Sequence, residues 1–299
     1  MTVAFVITVA IVLGLLFFLI RQARGPFRIA GVFILFLVCA LALWSFFIEP
    51  NRLIIHPATI QIENWPKELS GLRIAAISDI HTGGPFINDR KLQEIVARTN
   101  ALNPDLIVLL GDYMSPNSWH SHRVEPEVTA AALKNLKAPL GVYSVLGNHD
   151  WWYSGEKVRR AFEQNGIRVL EGEVAEVKWR DRSFWLVGLA DLWTRPQHIG
   201  ETIAKVPPGS TIIALTHNPD IFPRLPQSVP LLIAGHTHGG QVNIPLIGRP
   251  VTTSDLGPRY VAGHLFENGH HLFVTTGIGT SILPVRFRVP PEIVILTIN

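Results

Sequence analysis

Apolar and polar positions divide the chain into two unlike parts. Residues 1–20 and 29–48 contain no charged side chain, and each stretch reaches the roughly 20 residues that a helix needs to cross the hydrocarbon core of a bilayer. They predict two membrane helices. Beyond residue 50 the pattern changes to short apolar runs, each closed by a polar or glycine-rich break: "LRIAAIS" at 72–78, "LIVLL" at 106–110, "VYSVL" at 142–146, "FWLVGLA" at 184–190, "TIIAL" at 211–215, "LLIA" at 231–234, "LFVTT" at 272–276 and "IVILTI" at 293–298. Continuous runs of this length suit strands buried on both faces.

Between the first strands the period lengthens. In "NDRKLQEIVARTNAL", Leu92, Ile95, Val96 and Leu102 form a helical stripe behind Asn88 or Asp89 as N-cap. In "SGEKVRRAFEQNG", Ser154 stands as a cap, Val158 and Phe162 lie four apart, and Gly166 is a stop. Strand and helix in alternation predict an α/β layered fold. The last third predicts strand and loop.

Composition refines this division. At 299 residues and 47% hydrophobic, the chain accommodates one sizeable domain, residues 50–299, behind an N-terminal hairpin, residues 1–48. The hairpin loop "RQARGPFR" carries Arg21, Arg24 and Arg28 and no acid. Positive loops stay in the cytoplasm, which sends both chain ends, and the domain with them, to the other face of the membrane. No basic segment precedes the first apolar run, which argues against a cleaved signal peptide. The 26 Lys and Arg exceed the 23 Asp and Glu by the three loop arginines, so everything after residue 48 is formally neutral. A nucleic-acid surface is therefore not expected. Cys39 is the only cysteine and sits in the second apolar run, so the domain forms no disulfide and offers no thiolate to a metal.

Five of the strand-like runs end in possible metal ligands. Asp79 and His81 follow the first; Gly111-Asp112 the second; Asn148, His149 and Asp150 the third; His217 a fourth; and His236 and His238, in "GHTHGG", a fifth. Open α/β sheets bind ligands outside the carboxyl ends of their strands, so these ends are expected to converge. Asp, Asn and His without Cys suit a pair of Mn, Zn or Fe ions. On extended backbone, the spacing of Asp79 with His81 and of His236 with His238 would put each pair on one side. Plainer readings stand beside these: His149 as a packing residue, Asp150 as a surface or helix-capping acid, Asp191 as a turn residue, His120 and His122 as solvated loop side chains, and Trp151, Trp152 and Tyr153 as packed aromatics.

The ordered set "DIH", "GD", "GNHD", "TH" and "GHTHGG" resembles the calcineurin-like metallophosphoesterase superfamily. Two further stretches, "SGLRIAAISDIHTG" and "GIGTSILPVRFRVPPEI", resemble its membrane-anchored bacterial, phosphodiesterase-like branch. The resemblance implies a four-layer α/β/β/α sandwich behind the membrane hairpin. It implies that Asp79, His81 and His238 hold one divalent ion, that Asn148, His217 and His236 hold the second, and that Asp112 bridges them. Two such ions, about 3.5–4 Å apart, can hold a hydroxide nucleophile and clamp both oxygens of a displacement at phosphorus. His149 would face the substrate, and Asp150 would accept a hydrogen bond from it. One departure is the sequence Gly111-Asp112-Tyr113-Met114-Ser115, where relatives often carry another acid or amide; it puts the lining of the substrate side in doubt and leaves every ligand in place.

The expected function is thus a membrane-anchored dinuclear phosphohydrolase of the phosphodiesterase type, in the inner membrane with its domain on the extracytoplasmic side. A lipid-linked or envelope phosphate ester is the expected substrate, because tethering to a bilayer raises the effective concentration of head groups. A phosphomonoesterase or nucleotide hydrolase is the alternative. A non-catalytic docking module of the same fold is disfavoured by the complete ligand set.

Overall fold

The computed structural model describes residues 24–115 and 121–299, together with residues 14, 17, 18 and 20–22. The first expected membrane helix therefore lies largely outside the described residues. The second is present as α1 (Pro26–Leu43), with Pro26 in its first turn and none of its residues buried. Proline is well placed there, since its missing N–H has no helical partner at that position. The helix continues through a π-helical turn (Trp44–Ile48) and a 3₁₀ turn (Glu49–Asn51). Pro26–Asn51 is, among the described residues, the one helix long and apolar enough to cross a membrane, with a mean hydropathy of 2.7.

The rest is built on two six-stranded sheets. The first contains β1 (Ile54–Ile60), β2 (Leu72–Ile77), β3 (Leu106–Leu110), β4 (Val142–Val145), β5 (Arg168–Val169) and β12 (Glu292–Ile298), in the order β1-β12-β2-β3-β4-β5. Only β12 against β2 is antiparallel there. The second contains β6 (Glu173–Trp179), β7 (Arg182–Gly188), β8 (Ile212–Leu215), β9 (Leu231–Ala234), β10 (Gly263–Glu267) and β11 (His270–Val274), in the order β10-β11-β9-β8-β7-β6. Its centre is parallel, with antiparallel pairs at both edges.

Alternating side chains bury both faces of each sheet. Ile74, Ala76, Val108, Leu110 and Val145 of the first meet Phe184, Leu186, Ile213, Leu215 and Ile233 of the second in one core. The opposite face of the first sheet, through Ala75, Ile77, Ile107 and Leu109, packs on α2 (Asp89–Ala101), α3 (Pro126–Leu133) and α4 (Asn148–Gln164). The outer face of the second, through Val187, Ala214, Leu232 and Val274, is covered by Ile221, Phe222 and Tyr260 from 3₁₀ turns and by the short α5 (Ile199–Ile203). The result is the expected four-layer order, with a thin outer layer on the second sheet.

One of the two expected helix starts needs correction. Asn88 caps α2 by accepting the Lys91 N–H, as its sequence predicts. The second helix starts earlier than its sequence predicts: α4 begins at Asn148, breaks at Ser154 (φ 172°, ψ 89°) and resumes behind it, so Ser154 heads only the later segment. The helix therefore springs directly from the third ligand motif.

Candidate metal centre

The loops that follow β2 and β3 stay in step after the strands end. Asp79 N–H donates to Gly111 O at 2.9 Å, His81 N–H to Asp112 O at 3.0 Å, and Thr82 N–H to Tyr113 O at 2.7 Å. Within this extension, Asp79, His81 and Asp112 have φ between 52° and 55°, and His236 and His238 after β9 have φ of 70° and 50°. This corrects the extended-backbone expectation for the paired ligands. Each is aimed by a left-handed turn, a conformation uncommon outside glycine that costs of order 1–3 kcal/mol where the surroundings impose it. Gly111, at φ 89°, passes so close to the third motif that a Cβ would lie 2.5 Å from the Gly147 nitrogen.

These turns gather two groups of buried ligands, Asp79 with His81 and His238, and Asp112 with His217 and His236; within each group all ligand atoms lie within 4.8 Å of one another. In the first, His81 Nε2 is 3.1 Å from His238 Nε2, and Asp79 Oδ1 is 3.4 Å from His238 Nε2. In the second, His217 Nε2 is 3.2 Å from Asp112 Oδ2 and 3.1 Å from His236 Nδ1. Asp112 Oδ2 also lies 3.8 Å from His81 Nε2, so a single carboxylate oxygen faces both groups.

Each aspartate spends its other oxygen on backbone. Asp79 Oδ2 accepts the His236 N–H at 3.0 Å, and Asp112 Oδ1 accepts the His149 N–H at 2.8 Å. The ring of His81 reaches Met114 O through Nδ1 at 3.1 Å, and that of His217 reaches Leu110 O at 2.7 Å. Since a carbonyl can only accept, both Nδ1 atoms carry a proton and both Nε2 atoms face the centre; that of His81, a neutral ring, presents a lone pair.

The electrostatics call for positive charge. Burial holds His81 and His236 near 3, as neutral imidazoles, and His238 well below its ordinary range. Burial raises Asp79 to about 6. Burial alone would also raise Asp112 and lower His217, yet the carboxylate and ring outweigh it for each other: Asp112 is held well below the carboxylate range and His217 is raised to about 10. Asp79 Oδ1 and Asn148 Oδ1 are buried with no hydrogen-bond partner. The neutral rings of His81, His236 and His238, the orphaned oxygens and the carboxylate that faces both groups fit a pair of divalent cations, which would take the place of the Nε2 proton that Asp112 holds on His217.

His149 stands beside this set. Its Nε2 is 4.0 Å from Asp112 Oδ2, its side chain keeps 13% of its surface open, and its ring meets that of His81 edge-on at 4.9 Å. Burial lowers its pKa from the ordinary imidazole value. Asp150 does not touch the His149 ring, contrary to expectation. Its Oδ2 accepts the N–H groups of Asp112 and Gly147 at 2.8 and 2.9 Å, and its Oδ1 those of Tyr113 and Met114 at 2.9 and 3.1 Å. The carboxylate caps the start of α4 and ties it to the Asp112 loop, so the helix-capping reading is the one the geometry supports.

Asp191 likewise accepts the Trp193 and Thr194 N–H groups as a turn residue. Trp151 packs into the core, but Trp152 is 61% exposed and stands edge-on to His149 at 4.8 Å. It stacks with Trp193 at 6.5 Å, and Trp193 meets His236 at 4.3 Å, so an aromatic rim borders the centre. His122 is exposed and donates its backbone N–H to Gly83 O, while His120 lies outside the described residues.

Sequence reasoning missed Arg286. Its buried guanidinium donates to the carbonyls of Thr276, Gly277, Gly279 and Val289, locking the "GIGTS" loop beneath Asp79. A Cβ at Gly277 would lie 2.7 Å from Asp79 Cβ, so that glycine serves close packing against a ligand. A lone arginine in "RFR" carries no pattern that announces this.

Comparison with known proteins agrees with the geometry. Residues 72–240 match the family described as Calcineurin-like phosphoesterase. The Phosphodiesterase YaeI of Escherichia coli (strain K12) is 30% identical, over 75% of this chain and 81% of its own. A "Transmembrane protein with metallophosphoesterase domain" of Danio rerio is 31% identical over 91% of this chain, which spans 63% of that protein. The UDP-2,3-diacylglucosamine pyrophosphatase LpxG of Chlamydia trachomatis is 27% identical over 85% of this chain and 91% of its own. The chain belongs to the calcineurin-like phosphoesterase family.

Proposed function

We propose that the protein is a membrane-anchored, two-metal phosphohydrolase of the phosphodiesterase type that acts on a lipid-linked phosphate ester. The observation that carries this reading is Asp112 Oδ2, which faces ring nitrogens of both ligand groups at 3.2 and 3.8 Å. Asp79, His81 and His238 would hold one ion, Asn148, His217 and His236 the other, and Asp112 both. Ions bound there supply Lewis acidity to phosphoryl oxygens and activate water near neutral pH.

The chain's own residues do the rest. The backbone bonds from His236 and His149 fix both aspartates, so the ligands are oriented before substrate arrives. His149, partly open and held below the ordinary imidazole range by burial, is placed to exchange a proton with the leaving oxygen. Trp152 and Trp193 exclude water from that side.

Membrane anchoring is supported by the unburied helix Pro26–Asn51. Trp44 near its end donates to Glu49 at 2.6 Å, with Arg52 over its ring at 5.6 Å; such aromatic and basic pairs settle at membrane interfaces. The names of the zebrafish and chlamydial relatives, one transmembrane and one acting on a diacylated sugar nucleotide, favour the same reading. The three arginines at 21, 24 and 28 favour a multi-pass topology with the domain on the extracytoplasmic side.

The test is turnover by the purified full chain, stripped with chelator and restored with Mn or Zn, against soluble diesters, monoesters and phospholipid in vesicles. Metal-dependent cleavage that favours diesters and rises with lipid presentation is expected. A folded protein that binds two ions and cleaves neither ester class contradicts the reading.

A further inference from the structure

His238 belongs to two walls at once. On one side it completes the first ligand group; on the other it lines a cavity of about 190 Å³ with Val242, Val251, Leu283 and Val285. Gln241 braces this cavity from within, accepting the Ser281 N–H at 2.6 Å and donating to Leu283 O at 3.1 Å. Those bonds pair two backbone groups of the wall, and the interior surface is mostly apolar.

The cavity also adjoins the foot of the apolar helix. Leu283 and Val285 lie three and one residues before Arg286, whose N–H donates to Ser45 O at 2.9 Å. The 241–244 segment pairs with the same stretch: Phe287 N–H donates to Gln241 O at 2.8 Å and Asn243 N–H to Phe287 O at 2.9 Å. Around this junction Leu246, Ile247, Val251 and Ile282 are each more than half exposed. Exposed apolar clusters of this kind mark contact with membrane or ligand. A helix foot at Ser45 places the cluster at the level where a bilayer would begin.

We infer that this cavity is an acyl-chain site: it receives one hydrocarbon chain of a phosphate-bearing membrane lipid whose phosphate lies at the His81/His238 side of the metal centre. The inference rests on the membrane-anchored phosphohydrolase reading and narrows its substrate to lipids whose chain and phosphate can span from the cavity to His238. The exposed rim lets the chain leave the bilayer without crossing water, and the apolar walls replace the contacts it loses there.

The test uses the full chain in lipid nanodiscs. Butyl phosphate and dodecyl phosphate compete, on the Mn-loaded protein, with hydrolysis of a soluble aryl phosphodiester. A dodecyl phosphate with a mid-chain diazirine photolabels the metal-free protein. Dodecyl phosphate is expected to compete at least about tenfold better than butyl phosphate, the gain that two buried methylenes supply. That ratio is expected to fall to about one in the double variant V251D/I282D. Both positions are exposed, and aspartate tolerates the left-handed backbone of Ile282 (φ 63°). The label is expected in the 240–253 and 281–285 segments, a readout taken on the natural protein and independent of whether the variant folds. Equal competition by the two phosphates, a ratio that survives V251D/I282D through simple partition into the bilayer, or label confined to the helix overturns the assignment. Absence of metal-dependent turnover of the soluble ester overturns the phosphohydrolase reading itself, and the acyl site with it.

Discussion

Asp112 accepts the His149 N–H on Oδ1 at 2.8 Å and holds Oδ2 at 4.0 Å from the Nε2 of the same residue. One residue thus anchors the shared carboxylate through its backbone and reaches over it with its ring. The two roles separate on substitution, because only the ring is lost when His149 changes.

His149→Ala is therefore expected to leave two ions bound and to lower turnover about 10² to 10⁴-fold, the range for loss of a general acid or base. Metal content by mass spectrometry and kcat on an aryl diester check this. A variant that loses an ion, or one that keeps full kcat, would show that the ring has another task.

Asp112→Asn should behave differently. An amide cannot share negative charge between two cations, so occupancy is expected to drop below two and turnover by at least about 10³-fold, as several kcal/mol of charge stabilisation disappear. Calorimetric titration with Mn, run beside the activity assay, reads both. Retention of two tight sites would remove Asp112 from the shared position.

For Asp150 the account predicts a structural cost. Asp150→Asn replaces one acceptor oxygen with a donor that faces two N–H groups, and destabilisation of about 3 kcal/mol is expected from the unmet backbone donors. Urea unfolding measures it. The apparent pKa of kcat, where turnover persists, should stay at its natural value because Asp150 does not touch the His149 ring; a displaced profile would restore the hydrogen bond from His149 first expected for it.

Legibility in the sequence followed burial. β3 and β9 read directly, because every side chain in them is buried and the run is unbroken. β6 and β10 alternate buried or half-buried with exposed positions at sheet edges, and β1 contains Pro57 on an edge strand, a place that tolerates proline; none of the three forms a continuous run. α3 hides in "PEVTAAAL", too short and too uniformly small for a clear stripe. The candidate metal ligands were legible since each directly follows a strand. Their left-handed turns were not, because only pairing between neighbouring loops imposes them, and Arg286 acquires its four carbonyl partners only when the C-terminal loop folds under Asp79.

A pH dependence follows from Glu171. It is half-buried at the end of the β5 segment, its Oε1 accepts the Leu146 N–H at 2.8 Å, and loss of hydration raises its pKa from 4.5 to about 8. The folded chain therefore keeps a proton that the unfolded chain releases. This group's contribution to stability is full below pH 4.5, declines as pH rises to about 8, and is level beyond. Glu171→Gln, neutral at every pH, is expected to gain on the natural protein steadily between pH 5 and 8 in urea midpoints. A constant difference across that window would place the carboxyl in a more hydrated site.

The central claim, that five loops assemble one dinuclear centre, is tested most directly by anomalous diffraction from crystals soaked in manganese. The account predicts two peaks about 3.5–4 Å apart, one within coordination distance of Asp79, His81 and His238, the other of Asn148, His217 and His236, with Asp112 between them. A single peak, or two peaks that Asp112 does not join, would contradict it.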